Sequence, residues 1–216
     1  MTKMKTVIID YEMGNVRSIE NCIRFIGGTN IEVTADPKII NSADCLILPG
    51  VGSFSAAMAN LSNRGLISIL NDNVLHQKKP VLGICLGMQL FFEWSNEKQK
   101  TKGLGWVPGH VEYIKPEKHL KVPHIGWNSL KTNQFSPIFD FLSHDKDFYF
   151  VHSLHAKCEE KYVLAKFEYG CEMVASVRKE NIVGMQFHPE KSQKNGLLAM
   201  ESFLDWAKKS VVKKHD

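Results

Sequence analysis

Hydrophobic and polar positions follow two textures along this chain, and the change falls near residue 105. Before it, short runs rich in β-branched residues, "TVIID", "IEVTAD", "CLILPG" and "PVLGIC", are separated by stretches whose apolar residues return every three or four positions. In the first such stretch Val16, Ile19, Ile23 and Ile26 share one helical face, and Gly27 and Gly28 stop it. The segment "LISILNDNVLHQ" repeats that period. Strands alternating with helices predict a parallel sheet covered on both faces. The loops at the carboxyl ends of its strands gather on one edge, where ligands bind in such sheets.

From about residue 105 onward the runs "VEYIK", "VPHIGWNSL", "FYFVHS", "YVLAKFEY", "EMVASVRK" and "NIVGMQFHP" follow one another without long helices between them. They predict an antiparallel or mixed extension of the same sheet. A last helix begins near Gly196, with Leu197, Met200, Leu204, Ala207 and Val211 on one stripe and lysines in its last turn, where they suit the helix dipole. The polar stretch "NEKQKTKG" at 96–103 reads as a surface loop. No repeat or long linker divides the chain. The expectation is one α/β domain over 1–216: three layers, a mostly parallel sheet flanked by helices, and a mixed extension in the second half.

Composition narrows the function classes. The 216 residues, 44% hydrophobic, suffice for one buried core. The net charge of +4 belongs mostly to a C-terminal tail, "KKSVVKKHD", and no face clusters Lys and Arg among aromatics, which argues against a nucleic-acid partner. Five cysteines without a C-x-x-C pair argue against a disulfide framework and against a zinc site, and suit a reducing compartment. The lead "MTKMKTVIIDYE" has too short an apolar run for a signal peptide, and nothing further along is long enough to span a bilayer. A cytoplasmic location is expected, with no membrane contact, no metal and no cofactor.

The stretch "PVLGICLGMQLFFEW" then raises a chemical question. Cys85 alone would read as a buried thiol. Here it lies between Gly83 and Gly87, where a strand gives way to a helix, the frame of a nucleophile elbow. Amides and dipole at the helix start would favour its thiolate. A thiolate needs a base, and the base needs an orienting group. "QFHPEKS" supplies both: His188 and Glu190, two apart, project to the same side of an extended backbone. By itself His-Pro-Glu would be a surface turn. The glycine-rich "LILPGVGSF" could aim an amide from Gly50, Val51 or Gly52, together with that of Leu86, at an oxyanion.

Taken together, "PGVGSF", "GICLGMQ", "PHIGWN", "FVHS" and "QFHPEKSQ" resemble, in order and spacing, the class I (triad-type) glutamine amidotransferases of flavodoxin-like architecture. Within them the chain looks like the glutaminase subunits of imidazole glycerol phosphate synthase. The resemblance implies that Cys85 attacks the glutamine carboxamide, that His188 carries the proton and that Glu190 orients His188. It implies that Gln89, Glu93 and backbone near Ser153 hold the substrate, with His152 a candidate wall of the site. It further implies that the "PGVG" amides complete the oxyanion hole only when a partner is engaged. That partner is a (β/α)₈ cyclase or synthase forming a heterodimer, facing "DYEMGN" and "VPHIGWN". Asn15, Pro123, His124, Trp127, Asn128 and Lys191 are the interface candidates.

Two positions depart from the family pattern: Leu154, where Tyr often follows the "HS" pair, and Glu12, where a small residue is usual. Both fall where coupling to the acceptor is expected, so three alternatives stay open. One is a paralogue feeding an enzyme of bacterial surface sugars, another a catalytically silent binding module, and the third a stand-alone cysteine hydrolase. Cys22, Cys45, Cys158 and Cys171 lack a base or a glycine frame and are expected to pack.

Overall fold

The computed structural model describes residues 4–115, 120–132, 138–140 and 147–212. In its first half β1 (Thr6–Ile9), β2 (Ile31–Thr34) and β3 (Cys45–Leu48) alternate with α1 (Val16–Phe25) and α2 (Pro37–Asn41). Asp36 starts α2 by accepting the Lys38 N–H at 2.7 Å, with proline at the first helical position. The sequence "LISILNDNVLHQ" does not continue as one regular helix. After α3 (Phe54–Asn63) and α4 (Leu66–Asn71) the chain widens into a π-type turn at Asp72–His76. Asn73, fully buried there, donates to Asn41 at 2.7 Å and to the Ile69 carbonyl at 2.8 Å, which offsets the burial of its NH₂ but not of its Oδ1.

Next come β4 (Val81–Ile84), a single turn α5 (Leu86–Gln89), β5 (Phe92–Ser95) and β6 (Thr101–Lys102), so part of the expected 96–103 loop is a short strand. The second half holds β7 (Val107–Tyr113), β8 (His124–Ser129), β9 (Lys131–Thr132), β10 (Asp147–His152) and β11 (Leu154–Lys157). It ends with β12 (Val163–Tyr169), β13 (Cys171–Lys179), β14 (Ile182–Met185) and α6 (Gln193–Val212). The main sheet has the order β2-β1-β3-β4-β14-β13-β12-β9. Its first five strands are parallel and the rest antiparallel, the mixed sheet that the pattern predicts.

Not every later strand joins that sheet. β8 and β10 pair only with each other, and β11-β7-β5-β6 forms a third sheet. The apolar period shows which residues face inward, and says nothing of which strand supplies the hydrogen-bonding neighbour. Phe148 and Phe150 of β10 pack with Ile8, Ile47, Leu82 and Ile84 under α1 and α6, while Val107 and Val111 of β7 pack with Val7, Leu46 and Leu48 under α3 and α4. These strands are laid over the core as cover. Alternate residues of β1 and β3 feed opposite faces, as fully buried parallel strands do.

Helix α6 starts at Gln193, earlier than its apolar stripe suggests, and buries Ala199, Met200, Phe203 and Ala207; Leu197 and Leu204 are only half-buried. The tail lysines Lys213 and Lys214 lie outside the described residues. Of the remaining cysteines Cys22 and Cys45 are buried, Cys158 is half-buried, and Cys171, contrary to expectation, is exposed at the start of β13. Truncating Phe203 to Ala should cost about 3–5 kcal/mol through the cavity it leaves. Urea unfolding of F203A should show a lower midpoint at unchanged slope.

Candidate active site

Three parallel strands, β3, β4 and β14, end on the same edge of the sheet, and each delivers one part of the site. Ile84 is in register with Met185, and the Cys85 N–H continues the ladder by donating to the Met185 carbonyl at 2.7 Å. Residues 85 and 188 therefore lie on neighbouring strand tips. Cys85 takes φ 53° and ψ −108°, a costly conformation for a residue with a Cβ. The glycines around it are required by packing. A Cβ on Gly87 would lie 1.8 Å from the Leu48 carbonyl oxygen, and one on Gly83 2.6 Å from the Phe91 ring.

The base is held from several sides. The His188 N–H donates to the Tyr149 carbonyl at 2.9 Å, and the Ser192 hydroxyl donates to the His188 carbonyl at 2.6 Å while accepting the Tyr149 N–H at 2.9 Å. Nδ1 of His188 lies 2.8 Å from Oε1 of Glu190, with both side chains almost fully buried. Facing a carboxylate, Nδ1 carries the proton. Burial pulls this imidazole down. Its contact with the Cys85 sulfur and its bond to Glu190 outweigh burial and push it up to about 10. Nε2 makes no well-aligned hydrogen bond, which leaves it for the sulfur beside it.

Of the amides expected to form the oxyanion hole, those of Leu86 and Val51 are engaged. Leu86 N–H donates to the Gly50 carbonyl and Val51 N–H to the Met13 carbonyl, both at 3.3 Å. Gly50 fits tightly, since a Cβ there would lie 2.7 Å from the Tyr11 hydroxyl and 2.9 Å from the Gly87 nitrogen. The helix after Cys85 is one turn long, so the dipole it sets beside the sulfur is small.

A cavity of about 430 Å³ opens over Cys85 and His188. Val51, Gly52, Leu86, Gln89, His152 and Ser153 line it, and so do Pro123 and Lys191, which were expected at the partner interface. Glu93 does not: it is exposed, and it accepts the Gly109 N–H at 3.0 Å on the far side of β5. The acid that lines the cavity is Glu97, anchored by the Phe54 N–H at 2.9 Å. Sequence reasoning missed Glu97 because it stands in the polar stretch taken for surface. The alternation of β5 was the available signal, since it turns Glu93 outward.

His152 combines a place in the cavity wall with a structural role. It lines the cavity, and it is bonded through Nδ1 to the Leu154 carbonyl at 2.8 Å and through Nε2 to Nδ1 of His124 at 3.1 Å. His124 is no surface residue. The first position of β8 turns it inward, where it stacks on Phe167 and Tyr169 with centroids 5.4 and 4.1 Å away. Of the other interface candidates Asn15, Pro123, Trp127 and Lys191 are exposed, with Ile125 beside them, and the Asn128 amide is tied to the Glu168 carbonyl at 2.8 Å. Glu12, exposed at φ 66°, pairs with Arg64, and Leu154 is buried. Among the described residues no helix is long and apolar enough to cross a membrane.

Sheet, elbow and clamped histidine together define a class. The family model of glutamine amidotransferase class-I matches residues 7–204, and the chain belongs to that family. The chain is 64% identical over 205 residues to the imidazole glycerol phosphate synthase subunit HisH 2 of Vibrio vulnificus (strain YJ016), an alignment covering 95% of this chain and 96% of that protein. It is 48% identical to the subunit HisH 2 of Methanococcus maripaludis, over 93% of this chain and 98% of that protein. Among solved structures, PurLQS from Thermotoga maritima superposes with a TM-score of 0.70 over 95% of this chain and 99% of that one. Its identity of 18% speaks for the fold alone.

The histidines set the pH dependence of stability. Burial lowers His152 to about 3, His155 to about 4 and His124 below its usual value, so below pH 6.5 the unfolded chain binds protons that the folded one refuses. His188 has the opposite sign. Its contribution is complete below pH 6.5 and is lost as pH rises towards 10. Stability measured by urea unfolding should peak near pH 6.5 and fall on both sides. On the acid side the loss from one such histidine approaches about 1.4 kcal/mol per pH unit. H152Q should flatten the limb between pH 6.5 and 5; an unchanged limb would contradict the assignment.

Proposed function

We propose that this protein is the glutaminase subunit of an imidazole glycerol phosphate synthase, supplying ammonia for histidine biosynthesis in the cytoplasm. The observation that carries the reading is the meeting of Cys85 and His188 across β4 and β14, with His188 clamped by Glu190. The sulfur attacks the side-chain carboxamide carbon of glutamine, and the carbonyl oxygen becomes an oxyanion. His188 gives its proton to the departing nitrogen, ammonia leaves, and a thioester remains on Cys85. Water, deprotonated by the now neutral His188, cleaves that thioester to glutamate and restores the thiol group for the next cycle.

Substrate contacts follow from the cavity wall. Both amide hydrogens of Gln89 are engaged within the protein, at Leu154 and Gln186, so Oε1 is the atom it offers the substrate. Glu97 is the carboxylate placed to meet an α-ammonium, and Ser153 offers backbone at the same wall.

The resting geometry supports a role in complex rather than a stand-alone hydrolase. With the Leu86 and Val51 amides occupied by carbonyls, neither meets a developing oxyanion until the peptide at Gly50 and Val51 turns. Ammonia freed in neutral water would be mostly ammonium, without a nucleophilic lone pair. Coupling glutamine hydrolysis to a docked synthase avoids that loss. The partner proposed is a (β/α)₈ cyclase, and exposed Ile125 and Trp127 at the cavity side form its docking surface, forming a heterodimer.

C85A should abolish glutamate formation while the complex still works with added ammonium salts; glutamine turnover by that variant would refute the nucleophile. Adding the cyclase to the wild-type subunit should raise glutaminase kcat by about 10²–10³-fold, the worth of a restored oxyanion donor. Expression in a bacterial histidine auxotroph lacking its HisH subunit should restore growth without histidine. Failure there, with glutaminase activity intact, would move the acceptor to another pathway such as surface-sugar synthesis.

A further inference from the structure

We propose that Gln186 is a further catalytic residue: its side-chain amide donates a hydrogen bond to the Cys85 sulfur and stabilises the attacking thiolate. The inference rests on the glutaminase reading, because it concerns how that nucleophile is generated.

Gln186 stands in an otherwise apolar run, "IVGMQF", and is fully buried. A carboxamide in such a place persists only when both of its ends find partners. Its Oε1 accepts from Gln89 Nε2 at 2.9 Å, and its Nε2 lies 3.7 Å from the Cys85 sulfur, within range of an N–H···S bond.

Which end of the amide faces the sulfur is decided two residues away. The Leu154 carbonyl can only accept, so the Gln89 group 3.1 Å from it must be the NH₂. That same NH₂ gives its second hydrogen to Gln186, which makes the facing atom of Gln186 its oxygen. The NH₂ of Gln186 is left towards Cys85. His152 reinforces the anchor by donating through Nδ1 to the same Leu154 carbonyl at 2.8 Å, and His124 in turn donates to His152. One carbonyl thus sets the polarity of a buried chain that ends on the nucleophile.

A thiolate accepts an N–H more strongly than a thiol does, so this bond favours the charged form. As the sulfur is acylated its charge is lost and the bond weakens, so the stabilisation falls on the state that attacks.

The test uses the heterodimer with its cyclase and follows carbamidomethylation of the Cys85 peptide by iodoacetamide, mapped by mass spectrometry, between pH 6 and 9. Q186M removes the donor at nearly constant volume. It should react about tenfold more slowly at pH 7 and converge with wild type towards pH 9, with kcat for glutamine down about tenfold and KM within twofold. A folded Q186M variant with wild-type alkylation and kcat would overturn the proposal and leave Gln186 as a packing partner of Gln89. Should Q186M not fold, Q186E decides: it keeps the acceptor for Gln89 but turns an oxygen to the sulfur, so alkylation at pH 7 should slow at least as much, and an unchanged rate would overturn the assignment. A wild-type complex without glutaminase activity would instead sink the underlying reading, and the alkylation comparison would still report on the contact.

Discussion

The site depends on one backbone constraint, the parallel pairing of β4 with β14 in a register that sets Ile84 against Met185. That pairing lets Cys85 close the ladder on the Met185 carbonyl and sends the two strands out of the sheet at the same level. A slip of one residue would turn every side chain of a strand to the opposite face, and would carry His188 away from the sulfur. The register is protected because both strands are buried on both faces, with Leu82, Ile84, Val183 and Met185 in one layer and Val81 and Ile182 in the other. Core packing and catalytic geometry are here a single requirement.

The same edge shows how the backbone beside the cavity satisfies itself. Backbone donors buried beside a cavity seek acceptors, and in this state the carbonyls of Gly50 and Met13 meet the amides of Leu86 and Val51. The arrangement is self-satisfied, so it needs no ligand to be stable. A partner can shift it only by binding the turned form more tightly than the resting one. Exposed apolar residues on β8, the strand whose first residue joins the buried histidine pair, provide a surface where such differential contact can arise.

Two kinds of histidine share this cavity, and one neighbour separates them. His152 is as buried as His188, but its ring faces a carbonyl and another imidazole, and it stays neutral. His188 faces a carboxylate and a sulfur able to carry charge, and it holds its proton. Burial pulls both rings in the same direction, so the outcome is set by the partner. The neutral pair can therefore anchor the Leu154 carbonyl over a wide pH range while the charged one serves the reaction.

What could be read from the order of residues was whatever depends on local geometry. The Gly-Ile-Cys-Leu-Gly frame, the His-Pro-Glu spacing and the β-α alternation each follow from how a strand, an elbow or a helix must be built, and the meeting of Cys85, His188 and Glu190 and the mixed sheet were legible for that reason. Glu93 expected at the cavity, His124 expected among the interface residues and one sheet expected for the later strands differ from the structure at one common point. Each depended on which distant element lies opposite. Gln186 shows the same limit most sharply, since its identity as a donor to sulfur is dictated by a carbonyl thirty-two residues earlier, reached only through Gln89. Periodicity and turn chemistry act over a few residues and are written along the chain; register, burial and hydrogen-bond polarity arise only when remote segments share one space, and those the tertiary structure alone decides.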